Sequence, residues 1–452
     1  MEPTGPRCRA LVLRVALFEE CGEQLGADGT CALGHGPADQ LKPSRLGHTD
    51  AAPTRNAVTR RWTGPPRYEF FSVDDHIIEP SDTWSARVPA KFREGAPHVV
   101  EEDGREYWEY DGRRGLTMGL NAVAGKPRDQ WTMDPVRFTD MIPGCYDAVA
   151  RAADMRADGV VASVCFPTLP RFGGALFNEF ADKELADVCV RAWNDFVFDE
   201  WCAAAPEMFV PMVITQLWDP EAAAAEIRRN AARGARAVTM PEETSLLGLP
   251  GYYDESWDPV WHAVTETDVA VCMHIGSSGW GAFVPPGAPF ALNVALGCLG
   301  AFAHSVALLM SPVPRKFPSI KFVLSEGGVG WVPSALERAD RHWIRGRDMM
   351  GLQGPDVLPS EVAARNFWWC LIEEPFALRS RHEIGVSRLL WECDYPHTDS
   401  TWPNSQSEPA DLLDTIPRDE AELIAHGNAE ALFRWPLRLA ECGRPDESAT
   451  GL

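Results

Sequence analysis

Eight short apolar runs, most of them separated by stretches long enough for a helix, set the main constraint on this chain. The first opens "FFSVDDHIIEP" (70–80), and the others are "VVASVCFPT" (160–168), "FVPMVITQ" (209–216), "ARAVTM" (235–240), "VAVCMHIG" (269–276), "IKFVLSEGG" (320–328), "FWWCLIEEP" (367–375) and "RLLWECDYPH" (388–397). Most are continuous rather than alternating, as strands buried on both faces are. The segments between them read as helices. "ESWDPVWHAVTETD" places Trp257, Val260, Trp261 and Val264 on one helical face. "PEAAAAEIRRNAARG" opens with Pro220 and closes on Gly234, the residues favoured at a helix start and just past its end. Eight strands with helical crossovers indicate an α/β fold, a (β/α)8 barrel. A doubly wound sheet is the competing architecture.

One connection is too long for a plain crossover. Within residues 80–150, "VVEEDGREYWEYDG" reads as a β-hairpin turning at Asp103-Gly104. It is expected to be a cap inserted after strand one, or else a surface or dimer-contact elaboration. After residue 18 no apolar periodicity lasts before the first strand, and residues 1–66 read as a disordered extension, or as an untranslated one with Val58 as the start. The barrel unit is expected over 67–438, and 439–452 as a flexible tail.

The chain has 452 residues, with 42 basic against 65 acidic and a net charge of -23. That balance excludes nucleic acid and anionic membranes as partners held by a general electrostatic field. The 12 cysteines are singletons, several inside apolar runs, which fits a reducing cytoplasm better than a disulfide scaffold. No apolar run reaches the length of a membrane span. "ALVLRVAL" (10–17) is interrupted by Arg14 and followed by Glu19 and Glu20, so no export signal is expected.

In such a barrel, function gathers where the strands end. Strand one ends on Asp74, Asp75 and His76, strand five on His274, strand six on Glu326, and strand eight on Asp394 with His397 after it. Buried carboxylates and imidazoles are costly unless paired or bound to a cation. Alternation puts Asp74 and His76 on one side of strand one and Asp75 on the other. Asp74, His76, His274 and Asp394 then form a two-imidazole, two-carboxylate set suited to one divalent ion, Zn or Mn, with Fe also compatible. Taken singly, each residue has a plainer reading as a hydrogen-bonded core group, a turn or a cap.

"SVDDHIIEP", "CMHIGSSGW", "FPSIKFVLSEGGVGWVPSALERAD", "LLWECDYPH" and "AHGNAEALFRW", spanning about residues 68–437, resemble the amidohydrolase superfamily. The nearest branch is the amidohydrolase-related one that includes aminocarboxymuconate-semialdehyde decarboxylase. The resemblance implies a (β/α)8 barrel with one divalent metal on Asp74, His76, His274 and Asp394. Two departures stand out. Many relatives have His or Glu where this chain has Asp74, and decarboxylases of the branch have a catalytic His where it has Glu326. No lysine falls at the end of strand four, so the bridging residue of two-metal members is missing and a mononuclear site is expected.

Two chemistries fit. The ion can activate water for hydrolysis of an amide, ester or lactone, with Asp394 shuttling the proton and Glu326 or His397 assisting. Alternatively it can chelate a small, aromatic or unsaturated carboxylic acid while Asp394 protonates the carbon that loses CO2. The resemblance favours the decarboxylase and the Glu326 departure favours the hydrolase. A catalytically inactive barrel serving as a binding subunit is the remote alternative. Arg171, just past strand two, is placed to hold an anionic substrate, or is a capping arginine. Trp131, Phe172 and Trp280 are candidate pocket walls. His304, on the apolar helix before strand six, is a catalytic candidate or a core histidine. A homo-oligomer, a dimer, is expected by family analogy.

Overall fold

Parallel pairing turns the eight apolar runs into a closed cylinder. The structure is a computed structural model that describes residues 62, 64–279, 290–347, 351 and 355–437, with the backbone of 11–14 and 17–20. The barrel strands are β1 (Phe70–Ile77), β2 (Val160–Pro167), β3 (Phe209–Val210 and Met212–Val213), β4 (Ala237–Thr239), β5 (Ala270–His274), β6 (Phe322–Ser325), β7 (Phe367–Leu371) and β8 (Leu389–Trp391). Pairing is parallel from β1 to β2 and on to the first piece of β3, then from its second piece through β4 to β8. β3 is divided at Pro211, which has no N–H to give the ladder.

The ring closes between the ends of β1 and β8. The Asp394 N–H donates to the Asp74 carbonyl at 2.7 Å, and the His76 N–H to the Tyr395 carbonyl at 2.7 Å. A doubly wound sheet has no such bond between its first and last strands.

Two apolar layers hold the cylinder together. Inside it, Phe71, Val73, Ala162, Val164, Cys272, Val323, Cys370 and Leu390 form one buried cluster. Leu432 and Phe433 of the helix Asn428–Phe433 join that cluster, with the Phe433 ring 5.9 Å from Phe71. The N-terminal end is thereby stoppered with hydrocarbon, leaving the other end for polar residues. Outside it, strand residues such as Phe70, Val271 and Phe322 pack against the crossover helices. Helix Asp258–Thr267 buries Val260, Trp261 and Val264, and Trp257 is buried in the turn before it. Helix Pro220–Ala231 is capped by Asp219, whose carboxylate accepts the Ala222 N–H at 3.0 Å.

Between β1 and the helix Ala148–Asp158, His98–Glu102 pairs antiparallel with Arg105–Tyr110, and Arg105–Tyr110 with Arg113–Thr117. The turns are Asp103-Gly104 and Asp111-Gly112, all four at positive φ as tight hairpin turns require. Leu11–Arg14 and Leu17–Glu20 form a further hairpin on this sheet, the second strand pairing with Arg113–Thr117. Part of the N-terminal extension, read from sequence as lying outside the fold, thus takes strand structure. No helix among the described residues is long and apolar enough to cross a membrane.

Candidate metal centre

The site begins with a fault in strand register. Ser72 pairs with Ser163 but Asp75 pairs with Cys165, so β1 carries one more residue than β2 over this interval. The extra residue is a β-bulge at Val73-Asp74. Phe71 and Val73 face the barrel interior. Without the bulge, strict alternation would send Asp74 and His76 outward behind them. With it, Asp74 follows Val73 into the interior and His76 comes with it.

Asp75 faces the other way. Its carboxylate accepts from the Ser163 hydroxyl and, at 2.9 Å, from the Tyr395 N–H. Arg151 completes this clasp, donating to the His76 carbonyl and the Gly144 carbonyl, both at 2.7 Å, with its guanidinium 4.0 Å from the Tyr395 ring centroid. Burial pushes Asp75 up to about 6, against the opposing pull of Arg151 and its hydrogen bonds.

Four elements deliver the inward groups. His76 Nε2 lies 3.3 Å from Asp74 Oδ1 and 3.2 Å from Asp394 Oδ1. His274 Nε2 lies 3.4 Å from Asp74 Oδ2 and 3.1 Å from Glu326 Oε2. His397 Nδ1 lies 3.0 Å from Asp394 Oδ1. Ligand atoms of Asp74, His76 and His274 fall within 4.8 Å of one another, as do those of His76, Asp394 and His397.

These groups fit a cation. Both oxygens of Asp74 and of Asp394, both nitrogens of His76, and Nε2 of His274 and His397 are buried without an aligned hydrogen-bond partner. So many orphaned polar atoms at one place are too costly to leave bare. The Nδ1 of His274 is 2.6 Å from the Ile275 carbonyl. Donating there, the ring turns the Nε2 lone pair into the site, as metal-bound histidines are oriented. Burial, then the neighbouring imidazoles, lowers His76 well below its ordinary value, and burial and then His274 do the same to His397. Both rings are neutral, the form that binds metal. Burial raises Asp74 and Asp394, reinforced by Glu392 and Glu326 at Asp74 and by Glu326 and Asp74 at Asp394.

The remaining candidates separate. Glu326 follows β6 at φ 58, and its N–H donates to the Glu392 carboxylate at 3.1 Å. Asp394 and Arg171 also sit at positive φ, 59 and 62. Phe172 walls the site, its ring 4.1 Å from His274 and 4.8 Å from His76. Arg171 is buried and its guanidinium engages Glu179, which also accepts from Arg113 of the inserted sheet at 2.8 Å. It therefore ties the β2 loop to the insertion, which argues against the anion-holding role expected of it. His304 packs outside the barrel wall, Nδ1 3.3 Å from Glu242, in a cavity with Met273, Ala301, Leu308 and Leu324. The structure does not bring it to Asp394. The Trp131 indole donates to the Lys126 carbonyl at 3.1 Å within the insertion. Trp280 lies outside the described residues.

Two carboxylates escaped sequence reasoning. Glu392 is buried just after β8, its pKa raised by burial, and supports the Glu326 backbone. Its signal was an acidic residue directly after "LLW". Glu79 accepts from the Thr168 and Leu169 N–H groups at 3.0 and 2.8 Å and from the Trp193 indole at 3.1 Å. It secures the loop that carries Arg171 and Phe172.

Comparison with known proteins gives this geometry its context. The gamma-resorcylate decarboxylase of Rhodococcus jostii is 27% identical over 281 residues, covering 56% of this chain and 78% of that protein. A solved amidohydrolase from Mycobacterium avium subsp. paratuberculosis matches with a TM-score of 0.63 at 21% identity, over 82% of this chain and 100% of the other. A 5-carboxyvanillate decarboxylase from Novosphingobium aromaticivorans, solved with manganese and 4-hydroxy-3-methoxy-5-nitrobenzoic acid, matches with a TM-score of 0.57 at 18% identity, over 81% and 96%. The amidohydrolase family model matches residues 98–435, everything from the inserted sheet to the stopper helix. With that match and a closed barrel whose strand ends assemble a cation site, the chain belongs to the amidohydrolase family.

Proposed function

We propose that this protein is a metal-dependent carboxy-lyase acting on a small aromatic or unsaturated carboxylic acid. The observation that carries the metal dependence is the buried convergence of the Asp74 and Asp394 carboxylates, the His76 ring and His274 Nε2, none of these atoms with an aligned hydrogen-bond partner. The reaction type is supported by relatives that are named as decarboxylases of aromatic acids.

A bound divalent ion supplies positive charge that holds an anionic substrate oxygen and offsets negative charge developing as CO2 leaves. The chain's own residues do the rest. Phe172 presents a flat apolar face beside His274 for an aromatic ring. Asp394 delivers a proton to the carbon that carried the carboxylate. The C–C bond breaks, its electron pair remains on that carbon, and the new C–H bond takes the proton. His397, with Nδ1 3.0 Å from Asp394 and a slightly exposed ring, returns a proton from solvent. Glu326 at the rim bears a negative charge that disfavours a second substrate anion beside it.

Hydrolysis is the second reading, and Glu326 favours it. A carboxylate 3.1 Å from His274 Nε2 is placed to accept a proton from water. The discriminating experiment incubates Mn- or Zn-loaded protein with a panel of hydroxylated benzoic acids and a panel of amides, esters and lactones. CO2 release from the acids, abolished by chelator, is the expected result. Hydrolysis without CO2 release would overturn the carboxy-lyase reading.

We also propose that the protein works as a homo-oligomer in the cytoplasm. Helix Phe290–Met310 has no charged residue, and its Val294 and Leu299 are 41% and 53% exposed, which supports an association surface. Seven of the eight free cysteines among the described residues are buried, which suits a reducing compartment. Light scattering on the purified protein tests the first, and a monomeric mass would refute it.

A further inference from the structure

We infer that His304 and Glu242 are a positioning pair for the metal centre, an ion pair behind the barrel wall that fixes the backbone from which His274 and Glu326 are presented. This rests on the metal reading above, in which His274 is a ligand, and goes beyond it by giving a role to two residues outside the ligand set.

The pair joins two elements. His304 lies on the helix Phe290–Met310, and Glu242 follows β4. His304 Nδ1 is 3.3 Å from Glu242 Oε1, and both side chains are largely buried. Nδ1 has no aligned hydrogen-bond partner, so charge rather than a directed hydrogen bond links the two. Burial pulls the His304 ring below its ordinary value, and the facing Glu242 and Glu243 more than reverse this. The ring thus holds its proton to higher pH than an ordinary histidine. A buried carboxylate left without its cation is strongly destabilised where it stands.

The neighbours of the pair give it its role. His304, Glu242, Met273, Ile275, Leu324 and Ser325 line one cavity. Met273 and Ile275 flank His274 in sequence, and Ser325 precedes Glu326. The Ile275 carbonyl, 2.6 Å from His274 Nδ1, is the group that orients that ring. A second route runs through main chain. The Glu242 N–H donates to Ser277 Oγ at 3.0 Å, and the Ser277 N–H to the His274 carbonyl at 3.2 Å. The cavity, about 10 Å³, has room for one water and for no substrate, so the pair holds backbone rather than a ligand.

A consequence follows for the site. Close packing leaves the ends of β5 and β6 little slack. A displaced Ile275 carbonyl turns the His274 ring and changes its 3.1 Å approach to Glu326 Oε2.

The test reads His274 with and without metal. In the metal-free full chain carrying isotope-labelled histidine, the proton on His274 Nδ1 is assigned by nuclear magnetic resonance from its loss in His274→Ala. In His304→Gln and in Glu242→Gln that resonance is expected to shift or broaden. With Co(II) loaded, both variants are expected to show a changed visible spectrum and a dissociation constant raised about two- to thirtyfold. The double variant His304→Gln/Glu242→Gln leaves no charge unpaired. It is expected to move the resonance as the single variants do, the two residues acting as one unit, and it decides alone should neither single variant fold. A lowered melting temperature with the His274 resonance, the Co(II) spectrum and the affinity all unchanged would overturn the inference. Wild-type protein that takes up no ion would overturn the metal reading instead, and the metal-free resonance would still show whether the pair positions His274.

Discussion

The peptide N–H of Asp394 donates to the carbonyl of Asp74 at 2.7 Å, joining through main chain two residues whose carboxylates both lie beside His76 Nε2. They are 320 residues apart in sequence, yet one barrel-closing bond sets their separation. The fold therefore fixes part of the ligand geometry before any ion arrives, and removing one side chain should empty the site without opening the barrel.

Metal content checks this. Wild-type protein grown with added Mn and Zn should carry about one ion per chain by elemental mass spectrometry. His274→Ala should retain little, because its Nε2 faces the site and its Nδ1 already serves the Ile275 carbonyl. Far-ultraviolet circular dichroism of the variant should match wild type. Full metal occupancy in His274→Ala would contradict the assignment.

Glu79 gives a pH dependence with a definite sign. Burial pushes its carboxyl up to about 7, against the pull of its backbone and indole donors. The folded value lies above the unfolded one, so the group's stabilisation is complete below about pH 4.5 and is lost as pH rises through about 7. Glu79→Gln does not titrate. The stability of wild type relative to Glu79→Gln, from urea titrations, should therefore fall by about 1–3 kcal/mol between pH 5 and pH 8. A difference independent of pH would refute the assignment.

Glu326→Gly should separate stability from activity. At φ 58 a residue with a Cβ is strained by about 1 kcal/mol, which glycine relieves. Loss of the carboxylate also removes repulsion on Asp74 and Asp394. The metal-free variant should melt at or above the wild-type temperature, and turnover should fall at least about tenfold. A clear drop in melting temperature would argue that Glu326 is held there for structure.

Arg171→Ala should act on folding more than on substrate affinity. It leaves the Glu179 carboxylate, 32% exposed, paired with Arg113, at an expected cost of about 1–3 kcal/mol. Chemical denaturation should register that loss, while KM for an acidic substrate changes less than about threefold. A large rise in KM at unchanged stability would restore the anion-binding role.

Much of this arrangement could be read from residue order. All eight runs became barrel strands, because continuous apolar stretches between helical patterns admit few other uses. The residues at their ends marked the C-terminal face for the same reason. What stayed hidden depends on pairing across distance. Glu179 as the partner of Arg171, Glu392 beneath Glu326, and Arg151 under His76 are each neighbours only after the barrel closes. His304 shows the converse. It precedes a catalytic-looking strand, yet the helix carrying it faces the outer layer and meets Glu242 there.

The bulge at Val73-Asp74 works as a phase shift in the strand's two-residue repeat. Downstream of it, position in the count rather than chemical identity decides which of two adjacent aspartates addresses the ion. Flattening the bulge with no residue removed would leave "DDH" intact in composition and reverse its meaning, with Asp75 turned to the interior and His76 to the helices. The first strand's contribution to the site is thus stored as a number, and a variant with every ligand present can still lack the ligand set.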